Sequence, residues 1–274
     1  MDRGRTIMGP ICRNKRTKEA VVQLPGSILI TGASSGIGDA LARLYARSGV
    51  TLFLSGRNAG RLASLADLCK SRGATVHSKI VDVTDSTAMA LWIGECDAQA
   101  ALDLVIANAG VSGGGQGISY GLDATRPILA TNVDGVVNTV LPALERMQQR
   151  GHGQIAIMSS LAAFRGLPGS PAYCASKAAV KAWGEGLRVR YASDGVRISV
   201  ICPGFVETRM TADNPFPMPL LMRGDRAATI IQKGLTRNRG RIAFPFGTYA
   251  ASWLLDILPT NLTDWMVRNL PAKE

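Results

Sequence analysis

Histidine is nearly absent from this sequence. The 274 residues hold two, His77 and His152, so a metal site built on several histidines is excluded and acid–base work falls to other side chains. Aromatics make up 5%, too few for the Tyr-, Phe- and Thr-rich strands of a β-sandwich. Cys12, Cys69, Cys96, Cys174 and Cys202 are odd in number and show no CxxC spacing. With no secretory apolar stretch at the N-terminus, they read as reduced thiols of a cytoplasmic protein. No apolar run approaches the roughly 20 residues of a membrane span.

Negative charge is in deficit, and the net charge is +11. Part of the excess lies in Arg3, Arg5, Arg13, Lys15, Arg16 and Lys18, opposed by Asp2 and Glu19; the rest is scattered, with a small concentration at Arg237, Arg239 and Arg241. No basic run is interleaved with aromatics, so nucleic acid is not an expected partner. Residues 1–24 are polar, basic and aperiodic. They read as a flexible extension, and Met8 is a second candidate start.

What is present is a β–α alternation. Short apolar runs at 28–31, 51–55, 75–82, 102–107, 154–159 and 197–201 alternate with helical patterns at 37–48, 60–71, 86–99, 126–149 and 173–193. Continuous Val, Ile and Leu runs of this length fit strands buried on both faces. Strict alternation predicts an α/β fold, a single doubly wound parallel sheet with helices on both faces. Residues 25–247 read as one domain, and 248–274 as a helical extension of it.

Between the first strand and the first helix stands Thr31-Gly32-Ala33-Ser34-Ser35-Gly36-Ile37-Gly38. Backbone N–H groups and the positive dipole end of a helix suit a pyrophosphate there, and glycine is needed where the backbone turns sharply or must meet the ligand. The second strand ends Ser55-Gly56-Arg57. A carboxylate at that point would receive the ribose hydroxyls of NAD, whereas arginine offers a planar fork to a 2′-phosphate. The expected cofactor is therefore NADP(H), with NAD(H) the lesser choice. Asp82 and Val83, ending the third strand, fall where the adenine should lie. Asn108-Ala109-Gly110 follows the fourth, where asparagine either touches the cofactor or fixes neighbouring backbone.

Tyr173 and Lys177 are one helical turn apart and share a face. A phenol with a pKa of about 10 is a poor base near neutrality, and a neighbouring ammonium lowers it. Ser160, ending the preceding strand, could steady a substrate oxygen. Asn132, inside an apolar helical stretch, requires a polar partner, such as an ordered water.

These motifs together resemble a classical short-chain dehydrogenase/reductase over about residues 27–210: Thr31-Gly32…Gly36…Gly38, Asn108-Ala109-Gly110, Asn132, Ser160, Tyr173…Lys177 and Pro203-Gly204. The resemblance implies a Rossmann-like fold and hydride transfer between a nicotinamide and a carbonyl or secondary alcohol. It implies Tyr173 as acid/base, Lys177 lowering its pKa and binding the nicotinamide ribose, and Ser160 positioning the substrate. It also implies Asn132 holding a water in a proton relay, Pro203, Gly204 and Val206 covering the nicotinamide, and Thr208 beside its carboxamide. A homodimer or homotetramer is the implied assembly. Ala107 departs from the pattern, where many members carry a second asparagine. The competing reading is a non-catalytic dinucleotide-binding regulator or scaffold, which has no chemical use for Asn132, Ser160, Tyr173 and Lys177 at these spacings.

Substrate choice is expected from loops at 111–122, rich in glycine, and 205–224, where Met210, Phe216, Met218, Leu220, Leu221 and Met222 suggest an apolar lid. An apolar small-molecule substrate follows. Two further apolar segments, 249–258 and 262–270, suit packing on the protein's own body or a second subunit, with peripheral membrane contact as the alternative.

Overall fold

The computed structural model describes residues 24–112, 122–212 and 217–268. Most of the predicted basic extension, and most of the glycine-rich 111–122 loop, lie outside them. Seven parallel strands form one sheet: β1 (Ser27–Ile30), β2 (Thr51–Gly56), β3 (Thr75–Ile80), β4 (Leu104–Ala107), β5 (Gly153–Met158), β6 (Val196–Pro203) and β7 (Arg241–Phe244). Their spatial order is β3-β2-β1-β4-β5-β6-β7. The chain builds outward from β1 and then returns to lay β4 on its other side. That reversal opens a crevice above the carboxyl ends of β1 and β4, where open α/β sheets bind ligands.

The helices divide between the two faces as the side-chain alternation of the strands dictates. Ile28 and Ile30 point to the face covered by α1 (Gly36–Tyr45), α2 (Ala59–Ser71) and, through Ala227, Ala228 and Ile231, a later helix. Leu29 points to the other face. There it joins Met89 and Ile93 of α3 (Ser86–Gln99), Val136, Val140 and Leu144 of a central helix, and Val180 of the helix carrying Tyr173. Ile28, Leu29 and Ile30 are fully buried, and each such side chain stabilises the fold by about 1.5–3 kcal/mol relative to exposure. The edge strand β3 is the exception to two-sided burial, with Thr75, Ser78 and Ile80 exposed.

The helix expected at 126–149 is broken. α4 (Leu122–Leu129) gives way to a π-helical turn, Ala130–Asp134, before α5 (Gly135–Arg150) resumes. The helix expected from Tyr173 begins earlier: α6 spans Pro171–Arg190, with proline in its first turn, where no N–H is required. After the short α7 (Arg209–Ala212) come α8 (Gly224–Thr236), which supplies Ala227, Ala228 and Ile231 to the core, and β7. Neither α8 nor β7 was evident from the sequence pattern. α9 (Phe246–Ile257) and α10 (Thr260–Val267) close the described chain. Among the described residues no helix is long and apolar enough to cross a membrane.

Candidate active site

The glycine loop after β1 is stitched to the end of β4. Thr31 Oγ1 accepts from the Asn108 and Ala109 N–H groups at 3.1 and 3.2 Å, and Asn108 Nδ2 donates to the carbonyls of Thr31 and Gly32 at 2.9 and 3.2 Å. Asn108 thus fixes neighbouring backbone while still lining the cleft. The approach is so close that side chains cannot enter. A Cβ on Gly32, whose φ is +64°, would lie 2.7 Å from Ala109 Cα; one on Gly38 would lie 2.5 Å from the Gly32 carbonyl oxygen. Gly36 (φ +59°) would press a Cβ to 2.9 Å from Thr208 on the segment after β6. The ends of β1 and β4 therefore meet through backbone, the segment after β6 closes on Gly36 through Thr208, and the start of α1 opens on the cleft.

The cleft encloses about 890 Å³, within the range of small-molecule and cofactor sites. Gly32, Ser34, Ser35, Gly36 and Ile37 line one end of it, as do Arg57, Asp82 and Val83. Arg57 faces Asp82 at 3.7 Å, with both side chains largely solvated. Asp82 sits beyond the end of β3 in a turn, where its carboxylate accepts from the Thr84 N–H and hydroxyl; those bonds hold it below the usual carboxylate range. Arg61, in the first turn of α2, went unnoticed in the sequence. It lines the same end and donates from Nε to the Ser34 carbonyl at 3.1 Å. Arg57 precedes α2, so the available signal was a second arginine close behind the first rather than a shared helix face.

Ala109, Gly110, Ser160, Tyr173, Lys177, Pro203, Gly204, Val206 and Thr208 line the middle of the cleft. Among the candidate catalytic and cofactor residues, Gly38 and Asn132 do not line it, nor do Thr31 and Ala33 of the glycine loop. Ser160 Oγ accepts from the Ala162 N–H at 3.1 Å, capping a 3₁₀ turn at Leu161–Ala163. Lys177 is buried, donates from Nζ to the Met158 carbonyl at 3.0 Å, and stands 5.7 Å from the centroid of the Tyr173 ring. Burial pulls the Lys177 ammonium down to about 8. Burial likewise raises the Tyr173 phenol, opposed by a hydrogen bond with Ser160. The lowering expected from Lys177 is thus not seen: desolvation sets the direction, against the hydrogen bond with Ser160.

Asn132 is fully buried in the π-helical turn and finds its partners in the protein. Its Oδ1 accepts from the Val111 N–H and its Nδ2 donates to the Val111 carbonyl, both at 2.8 Å, and Nδ2 also donates to Ser176 Oγ at 3.0 Å. Ser176 Oγ in turn donates to the Tyr173 carbonyl at 2.7 Å. The turn that interrupts the long helix thereby ties the end of β4 to the helix bearing Tyr173 and Lys177.

Beyond Tyr173 the lining turns apolar, with Leu161, Leu167, Phe205, Met210 and Leu255. The expected lid is described in part. Met222 is buried and pairs with the chain at Phe205–Glu207, Met210 and Leu221 are partly exposed, and Leu220 is well exposed; Phe216 lies outside the described residues. α9, whose sequence suggested packing or a surface role, supplies Thr248, Ala251, Ser252 and Leu255 to the cleft wall. Phe246, Trp253, Leu254 and Ile257 on the same helix stay exposed, as do Leu262, Trp265 and Met266 around α10.

Residues 27–216 match the family model described as short chain dehydrogenase. The chain belongs to the short-chain dehydrogenase family. Among family relatives, an uncharacterized oxidoreductase of Myxococcus xanthus is 41% identical over 243 residues, covering 88% of this chain and 96% of that one. A short-chain dehydrogenase from Sphingobium yanoikuyae, solved in complex with NADPH, superposes with a TM-score of 0.75 at 25% identity, covering 90% of this chain and 97% of that chain. A 3-ketoacyl-ACP reductase from Sinorhizobium meliloti gives a TM-score of 0.72 at 27% identity, covering 82% and 99%.

Proposed function

We propose that this protein is an NADP(H)-dependent oxidoreductase acting on a carbonyl or secondary alcohol, with Tyr173 as its acid/base. The observation that carries the reading is the meeting of Ser160, Tyr173 and Lys177 in one cleft with the glycine loop. The NADPH held by the Sphingobium relative supports the cofactor, and the name of the Sinorhizobium reductase supports a carbonyl substrate. A non-catalytic dinucleotide-binding scaffold would leave those three side chains without a chemical role.

The glycine-loop cradle suits a dinucleotide because the start of α1, with its free N–H groups, opens on a cleft lined by Gly32, Ser34, Ser35, Gly36 and Ile37. When bound there, the nicotinamide supplies or takes up the hydride. Arg57 and Arg61 would hold the 2′-phosphate, Lys177 the nicotinamide ribose, and Thr208 the carboxamide. The Ser160 hydroxyl orients the substrate oxygen, and Tyr173 Oη gives it a proton as the carbonyl carbon is reduced; alcohol oxidation runs the same proton back. A phenol raised by burial is protonated near neutrality and ready to donate. Lys177 and Asn132, facing one another above Gly110, would return the proton to Tyr173 through a held water.

The test is NADPH oxidation by the full chain across ketones, quinones and acyl-thioester ketones, beside Tyr173→Phe. The expected outcome is turnover by the wild type and a loss of about 10²–10⁴-fold in the variant, with NADPH binding retained. Near-normal turnover by Tyr173→Phe would exclude the mechanism. The expectation of a homo-oligomer rests on the family resemblance, and that of membrane contact on the exposed apolar side chains of α9 and α10. Sedimentation velocity and liposome co-sedimentation read the two separately.

A further inference from the structure

The cleft carries charge unevenly. Arg57, Arg61 and Asp82 line the cofactor end and Lys177 the middle; in the apolar half beyond Tyr173, Arg165 is the one charged residue among the described lining residues. Arg165 lies between the 3₁₀ turn after Ser160 and the start of α6. Its backbone is held by its neighbour Phe164, which is buried edge-on against Tyr249 of α9, with ring centroids 5.6 Å apart.

The guanidinium is anchored from outside the cleft. One of its terminal nitrogens, Nη2, donates to Asp264 of α10, a helix docked through buried Thr263 and Val267. The Arg165 side chain is 22% exposed and that of Asp264 60%, so the carboxylate is the more solvated partner, while Arg165 itself lines the cleft. Asp264 occupies a single nitrogen. Arg165 Nε is shut off from water and has no acceptor. An arginine fork used at one tine is unusual where a carboxylate is at hand, because paired N–H donors match paired oxygens. That Nε is closed to the cleft as well as to water, so the donor left for a ligand is Nη1, the terminal nitrogen that Asp264 does not take.

We propose that Arg165 is a specificity-determining residue that selects substrates with an apolar body and one oxyanion, a carboxylate or a phosphate, set apart from the reacting carbonyl. The substrate would lie with its carbonyl at Ser160 and Tyr173, its chain along Leu161, Leu167, Phe205 and Leu255, and its anion on Nη1 of Arg165. Asp264 acts as a positioning residue that anchors the guanidinium by Nη2. The inference deepens the carbonyl-reductase reading, and its test is a binding measurement that does not require turnover.

Calorimetric titration of the full chain with octanoate, octyl phosphate and octanol at fixed ionic strength compares one chain length with and without an anion. The wild type is expected to bind at least one anion about 10-fold or more tightly than octanol, since charge-assisted hydrogen bonds to arginine are worth that much. The tighter of the two anions identifies the group. Arg165→Met keeps the aliphatic stem, and is expected to abolish the preference while octanol affinity stays within about 2-fold. Arg165→Lys should restore part of it, as a point charge without the fork. The proposal is overturned if the wild type binds octanol as tightly as both anions. It is also overturned if Arg165→Met weakens all three ligands alike, which would make Arg165 only a tether for α10. An Arg165-dependent preference in a protein that reduces no carbonyl compound would leave this inference standing and sink the catalytic one.

Discussion

Lys177 Nζ and Asn132 Oδ1 converge on one point above Gly110: a Cβ placed on that glycine would lie 3.2 Å from the nitrogen and 3.1 Å from the oxygen. One atom is an ammonium tied to β5 through Met158, the other an amide tied to the end of β4 through Val111. In the proposed mechanism, the space between them is where the relayed proton would pass.

Gly110→Ala fills that space with a methyl group. The expected result is a drop in turnover of about 10–100-fold, the range for small displacements of catalytic groups, with the protein still folded. Gly186→Ala on α6 is the control. Nothing lies within 4 Å of its Cβ, and alanine should leave turnover unchanged while stabilising the helix by about 0.5–1 kcal/mol. Equal turnover in both variants would show that the space above Gly110 plays no part.

Burial of Lys177 makes a prediction about stability and its sign. The lysine value falls from 10.5 to about 8 on folding, so between those values the unfolded chain binds a proton that the folded one refuses. Protonation thus favours unfolding. The penalty is absent above 10.5, grows as pH falls, and is complete below about 8, where it approaches 3 kcal/mol. Lys177→Met removes it but leaves the Met158 carbonyl without its donor, at about 1 kcal/mol or more. Urea unfolding of the cofactor-free protein at pH 7 should therefore find the inactive variant about 1–2 kcal/mol more stable. The gain should vanish or reverse near pH 10.5. A variant less stable than wild type at pH 7 would contradict the buried, depressed lysine.

The sheet, its helices and the glycine loop were legible because their signals are local. A β–α rhythm, and glycines where backbone meets backbone, follow from chain geometry within a few residues. The features that were not legible depend on distant partners. The π-helical turn exists because Asn132 reaches Val111 and Ser176, and a helical pattern running through 126–149 does not reveal that. β7 is four residues long and begins with Arg241, whose charge is met by Glu185 of α6. α9 reads as merely apolar, since which face of it lines the cleft is decided by where β7 delivers it. Arg165 carries no sequence signal of its own, and the Asp264 contact and its place in the cleft lining distinguish it.

Ser160 should separate catalysis from cofactor binding. Its hydroxyl is a hydrogen-bonding partner of Tyr173 and also caps the turn at Ala162. Ser160→Ala is expected to lower kcat by about 10²–10³-fold, as removal of one oxyanion-directed donor does. Stability should fall by about 1 kcal/mol for the lost cap. Cofactor affinity, measured by fluorescence titration, should be unchanged. A loss of cofactor affinity as large as the loss in kcat would mean that Ser160 shapes the cofactor site rather than the substrate site.

The proposed preference for NADP over NAD rests on Arg57, beside which Asp82 stands as a competing charge. At 3.7 Å and largely solvated, their pairing is worth no more than about 1 kcal/mol, so an arriving phosphate can displace Asp82 at little cost. Arg57→Ala should weaken NADP binding by about 10–100-fold through loss of charge-assisted hydrogen bonds, while NAD binding stays near its starting value. Asp82→Asn keeps an oxygen for the Thr84 contacts and removes the competing charge. NADP affinity should then rise a few-fold, and more at low salt than at high salt, because the repulsion it relieves is exposed to screening. Tighter binding of NAD than of NADP by the wild type would refute the assignment, whatever the variants do.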